Sequence, residues 1–163
     1  MTSEGTIVVG VDGSPISAAA LRWAVAEAEV SGREVAAVTA WTYAPDLGPG
    51  APTRPVEQVA ASHREMLDQL IDTVRRPDVT IRGELVEGEA GEVLLDAARD
   101  ADLLVLGSHG HGPMLRALVG SVSAYCLHHA TCPVLILPAS VADPDGKAGS
   151  AAAAANYTPG PII

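Results

Sequence analysis

Four glycines and a serine between residues 107 and 121 have the spacing of an anion cradle. The chain there reads Gly107-Ser108-His109-Gly110, then nine residues from His111 to Val119, then Gly120-Ser121. Glycines at 107, 110 and 112 permit positive φ and let backbone amides approach an anion closely. Gly120-Ser121 precedes a helical stretch running from about Ser121 to His129, so the free N–H groups and dipole of a helix start would favour a phosphate there. The Ser121 hydroxyl adds a donor. The chemistry implied is a di- or triphosphate held almost wholly by backbone, although turn formation alone would also account for the glycines. Arg116 is the one arginine in this loop and reaches either the phosphates or solvent. Asp12, in Asp12-Gly13-Ser14-Pro15, offers a carboxylate that could accept from ribose hydroxyls or hold a hydrated metal. Its alternative role is that of a turn-forming acceptor.

Other chemistry-bearing residues are sparser. His109 and His111 have i, i+2 spacing and His128-His129 is a pair, but a metal site needs a third ligand that the sequence does not place. Cys126 and Cys132 show neither C-x-x-C spacing nor a disulfide framework, and read as small buried or half-buried thiols. The G-x-x-x-x-G-K-[ST] phosphate loop is absent, as is a glycine-rich turn of the dinucleotide-binding kind after the first strand. Lys147 is the only lysine, and it lies in a tail. An anion in the folded part is therefore held by backbone N–H groups, helix starts, arginine or a metal ion.

These residues need elements to bring them together. Thr6 to Val11 is a β-branched apolar run ending at a turn, where Ser14 can cap a helix and Pro15 can take its first position. Ala18, Leu21, Val25 and Ala28 recur at helical spacing up to Gly32. Glu34 to Trp41 forms a second strand. The proline- and glycine-rich stretch from Tyr43 to Pro55 predicts a loop, and Val59 to Val74 an amphipathic helix ending near Arg76-Pro77. Val79 to Glu87 alternates as an edge strand does. Gly91 to Asp100 predicts a third helix, Asp102 to Gly107 a strand buried between neighbours, and Pro133 to Leu137 a last strand. The alternation β-α-β-α-β-α-β-α-β predicts an α/β fold: a doubly wound, mostly parallel five-stranded sheet with helices on both faces. In such a sheet ligands sit beyond the carboxyl ends of the strands where the winding reverses. The loops after Val11 and Leu106 should therefore face each other.

Composition narrows the function classes. The chain has 163 residues, 48% of them hydrophobic and none of them Phe, which suits one domain with a core of Val, Leu, Ile and Ala. The expected division is a domain over residues 1–138 and a flexible low-complexity tail over 139–163. A net charge of −10 disfavours nucleic-acid and anionic-membrane binding. No stretch approaches the ~20 apolar residues of a membrane span, and the N-terminus lacks a basic region followed by an apolar run. The expectation is a cytoplasmic protein.

Val8-Val9-Gly10-Val11-Asp12-Gly13-Ser14, together with the G-x2-G-x9-G-[ST] pattern at Gly107, Gly110, Gly120 and Ser121, resembles the universal stress protein family over roughly residues 4 to 138. The resemblance implies an adenine-nucleotide α-hydrolase-like fold and the family's ATP-binding branch. It implies that the glycine pattern, with Ser108, His109, His111, Gly112 and Val122, wraps phosphates and ribose. It implies that Gly10 and Asp12 contact the nucleotide, that Mg²⁺ can bridge Asp12 and the phosphates, and that Val38 to Ala40 meet the adenine. Homodimerisation through Pro133 to Leu137 is implied as well, and an unpaired apolar edge strand invites it. The reading is a nucleotide-dependent regulatory dimer with unidentified protein partners and no catalytic residue beyond what slow hydrolysis requires. A weak ATPase, another adenine-nucleotide enzyme and a cyclic-AMP binder are the alternatives.

Overall fold

The computed structural model describes residues 5–43, 54–109 and 119–141. Within them run β1 (Thr6–Gly10), α1 (Pro15–Ser31), β2 (Glu34–Trp41), α2 (Val56–Val74), β3 (Ile81–Glu87), α3 (Ala90–Ala97), β4 (Leu103–Gly107), α4 (Ser121–His129) and β5 (Val134–Leu137), closed by a 3-10 turn at Ala139–Val141. The expected tail beyond residue 141 and most of the loop between β2 and α2 lie outside the described residues.

All strand pairs are parallel and the order is β3-β2-β1-β4-β5. The chain steps outward from β1 to β3, then returns to the far side of β1 for β4 and β5. Keeping one crossover hand while the direction of travel reverses requires the helices to change faces. The core shows that change. Ile7, Val9, Val35, Ala37 and Val105 pack with α1 and α2, whereas Val8, Ala36, Val38, Leu104 and Leu106 pack with α3 and α4. Alternate residues of each strand thus feed opposite layers, as the two-residue period of a strand demands.

Local signals explain the element ends. Ser14 caps α1, its Oγ accepting from the Ser17 N–H at 3.3 Å, and Pro15 follows at the first position. Gly32 ends α1 in the left-handed region at φ 72°. There a Cβ would cost roughly 1–2 kcal/mol, which is why Gly stands at this stop. Two ends fall short of expectation: β1 stops at Gly10 and α3 at Ala97. Val11 still donates its N–H to the Val38 carbonyl at 2.9 Å, so the ladder carries on past the strand while the chain begins its turn.

Candidate functional site

The exit of β1 is clamped to β2, since Thr39 donates its hydroxyl to the Val11 carbonyl at 2.8 Å. Asp12 then folds back, its Oδ1 accepting from the Ser14 N–H at 2.9 Å. The carboxylate therefore does shape the turn. Ser17 completes this corner, donating its hydroxyl to the Ser14 carbonyl at 2.9 Å.

The exit of β4 is tied down from three directions. Ser108 N–H donates to the Leu137 carbonyl at 2.8 Å, and Gly120 N–H to the Ser108 carbonyl at 2.5 Å. The Ser123 hydroxyl donates to the Gly107 carbonyl at 2.7 Å. The start of α4 is thereby sewn onto the end of β4 across the intervening loop. Gly107 and Gly120 are needed for close approach and not for positive φ, which neither adopts. A Cβ on Gly107 would lie 2.8 Å from the Ile16 side chain, and one on Gly120 would lie 3.1 Å from the Ser108 carbonyl oxygen and 3.3 Å from His109 Cα.

Between these two exits lies a cavity of about 400 Å³, within the ~300–1,000 Å³ range of small-molecule sites. Val38 and Ala40 of β2, Leu106 of β4 and Leu94 of α3 give it an apolar wall; Asp12, Ser14, Ser17, His109, Ser121 and Ser123 give it polar groups. Ser14 at the start of α1, Ala90 at the start of α3 and Gly120 at the start of α4 all reach its lining. Three helix N-termini thus border one space, each the positive end of its helix dipole.

Of the residues that the sequence singled out, Gly10, Asp12, Val38, Ala40, Gly107, His109, Gly120, Ser121 and Val122 line the cavity. Ser108 does not; its hydroxyl lies 3.0 Å from His109 Nδ1, where it steadies the imidazole. Gly110, His111, Gly112 and Arg116 lie outside the described residues. Ser14, Ser17, Ser123, Ala90 and Leu94 were not anticipated in the site. The serines carried a signal, being at or near helix starts. Ala90 and Leu94 carried none, because the crossover from β3 to β4 brings α3 over the sheet from far along the chain.

Away from the cavity, His129 stacks on Tyr125 with ring centroids 4.5 Å apart. Among the described residues no three His, Cys, Asp or Glu side chains are grouped to hold a metal ion. Cys126 is wholly buried. Burial pushes its thiol pKa up, and nearby Cys132 adds to the rise. The Cys132 thiol is also raised, again chiefly by burial, against the lowering effect of backbone hydrogen bonds and with the smallest push from Asp102. Both are thereby poor nucleophiles. Among the described residues no helix is long and apolar enough to cross a membrane.

A model of the universal stress protein family matches residues 5–138. The chain is 33% identical over 132 residues to a universal stress protein of Mycolicibacterium smegmatis, covering 80% of this chain and 45% of that one. It spans about half the length of the curated relatives it matches. In three dimensions it is similar to a universal stress protein crystallised in complex with cAMP, with TM-score 0.57 and 28% identity over 84% of this chain and 98% of the other. It is also similar to the universal stress protein from Archaeoglobus fulgidus in complex with dAMP, with TM-score 0.62 and 25% identity over 82% and 97%.

Proposed function

This chain belongs to the universal stress protein family, and from that premise we propose that its strand-end cavity binds an adenine nucleotide, ATP foremost, as a regulatory ligand. The observation that carries the reading is the convergence of three helix N-termini on one cavity that also has an apolar wall. Phosphates suit the first feature and a purine the second. Relatives of known structure hold cAMP and dAMP, ligands of the same chemical class.

In this reading the adenine rests against Val38, Ala40 and Leu94. The phosphates lie at Gly107, Gly120 and Ser121. Asp12 lines the cavity with one oxygen already accepting from Ser14 N–H. Its carboxylate is a hard donor of the kind Mg²⁺ takes beside nucleotide phosphates, the ion supplying charge neutralisation there. His109 is the imidazole in the described lining, and the hydroxyl in contact with it, Ser108, does not line the cavity, so binding outranks catalysis. The occupied chain would act in the cytoplasm as a dimer paired along β5.

Calorimetric titration with ATP, ADP, AMP and cyclic AMP, with and without Mg²⁺, tests this on the wild-type chain and on Ser121→Asp. An acidic residue in the first turn of α4 favours the helix dipole while repelling a phosphate. The expected outcome is micromolar binding to the wild type and none to a variant of equal or higher thermal stability. Equal binding to both chains would place the nucleotide elsewhere. Tighter binding of cyclic AMP than of ATP would favour the single-phosphate reading.

A further inference from the structure

We propose that the groove between α1 and the end of α2 is a second ligand site, built for a small phosphate-bearing anion and separate from the strand-end cavity. The groove measures about 290 Å³. Arg22 and Glu29 enter it from α1, Arg75 and Arg76 from the segment just after α2, and Val25 and Val74 give it an apolar floor. Residues 22, 25 and 29 fall on one stripe of α1, so the two helices present their arginines to the same space.

The charge there runs against the rest of the molecule. The chain has 20 acidic residues against 10 Lys and Arg, yet this groove gathers three arginines and one glutamate. Arg76 pairs with Glu29 at 3.4 Å and Arg75 with Asp72 at 2.9 Å. Among the described residues Arg22 has no carboxylate partner. The carbonyl end of α2 accounts for arginines at 75 and 76. It does not account for Arg22, which sits in the middle of another helix, on the groove. With Arg76 and Arg75 paired to Glu29 and Asp72, Arg22 is the groove guanidinium left over, and arginine's planar fork matches a phosphate with two parallel hydrogen bonds.

Opening the groove to a ligand requires little. Both ion pairs are exposed, and such pairs contribute only about 0–1 kcal/mol each, so Arg75 and Arg76 can turn from their carboxylates to an incoming phosphate. The net charge of −10 repels an anionic bilayer at long range, which favours a soluble phosphate compound over a lipid headgroup.

The test is titration of the full chain with inorganic pyrophosphate at low salt, comparing wild type, Arg22→Gln, Arg76→Gln and Ser121→Asp, with thermal melts as fold controls. Vesicles containing phosphatidylserine form a second arm. The expected result is pyrophosphate binding that survives Ser121→Asp, weakens about tenfold or more in each arginine variant, and leaves ATP affinity at the strand-end cavity unchanged in Arg22→Gln. Pyrophosphate binding lost in Ser121→Asp but intact in Arg22→Gln would overturn the proposal, as would no binding at all. Arginine-dependent binding to the vesicles without binding to pyrophosphate would overturn the soluble-ligand assignment.

Discussion

The Ser123 hydroxyl donates to the Gly107 carbonyl at 2.7 Å, joining the first turn of α4 to the last residue of β4. Ser123 is buried and Gly107 half-buried, so water cannot easily replace this bond. Both residues line the cavity, and the bond sets how far the α4 N-terminus stands from the strand ends.

Ser123→Ala leaves the Gly107 carbonyl without this donor. A loss of about 1–3 kcal/mol is expected, read as a lower urea midpoint at unchanged slope. Stability equal to wild type would mean that the carbonyl finds another partner and that the bond does not hold the site.

Gly120→Ala and Gly32→Ala should separate site geometry from general stability. The methyl group introduced by Gly120→Ala would press on the Ser108 carbonyl and His109 Cα, backbone atoms that cannot swing aside. On the proposed reading, shifting the amides assigned to the phosphates should weaken nucleotide binding about tenfold or more. Gly32 has φ 72° and open space around its Cβ direction, so Gly32→Ala should lower stability by about 1–2 kcal/mol and leave affinity unchanged. If both variants lose affinity equally, the effect at residue 120 is not local.

Among the described residues β5 pairs with β4 alone, which leaves its other edge open. Sedimentation of the full chain at tens of micromolar should therefore give twice the 16.6 kDa chain mass, and Ile136→Pro should return it to monomer. A wild-type monomer under those conditions rules out pairing along this edge.

The two cysteines predict an alkaline signature. Their folded pKa values are raised by burial, so the unfolded thiols, near the ordinary value of about 8.5, ionise first. Stability present below that value is lost as pH rises through it toward the folded values, because the unfolded chain then releases protons that the folded chain keeps. Replacing both with alanine should flatten this fall. Native-state alkylation near pH 8 should leave Cys126 unlabelled, and rapid labelling would contradict its burial.

How much of this was legible beforehand follows from which interactions are local. The Ser14 cap with Pro15 after it, the Gly32 stop and the bounds of β2 and α4 are written in neighbouring residues, so the sequence alone determined them. The winding order could be read too, because strands and helices alternate and crossovers keep one hand. That placed the ends of β1 and β4 opposite each other and made Asp12, Gly107, Gly120 and Ser121 candidates for one site.

Only the tertiary structure decided the rest. Ala90 and Leu94 join the cavity because the long crossover from β3 lays α3 across β1 and β2, a contact without any short-range signature. Ser108 turns to His109, a rotamer choice that spacing cannot reveal. Gly107 and Gly120 are glycines because Ile16 and the Ser108 backbone crowd them, which no dihedral preference would have told. The groove where Arg22 meets Arg75 and Arg76 likewise exists only once α1 and α2 lie on the same face of the sheet. Sequence determines elements through local bonds, whereas sites arise where elements distant in the chain are packed together.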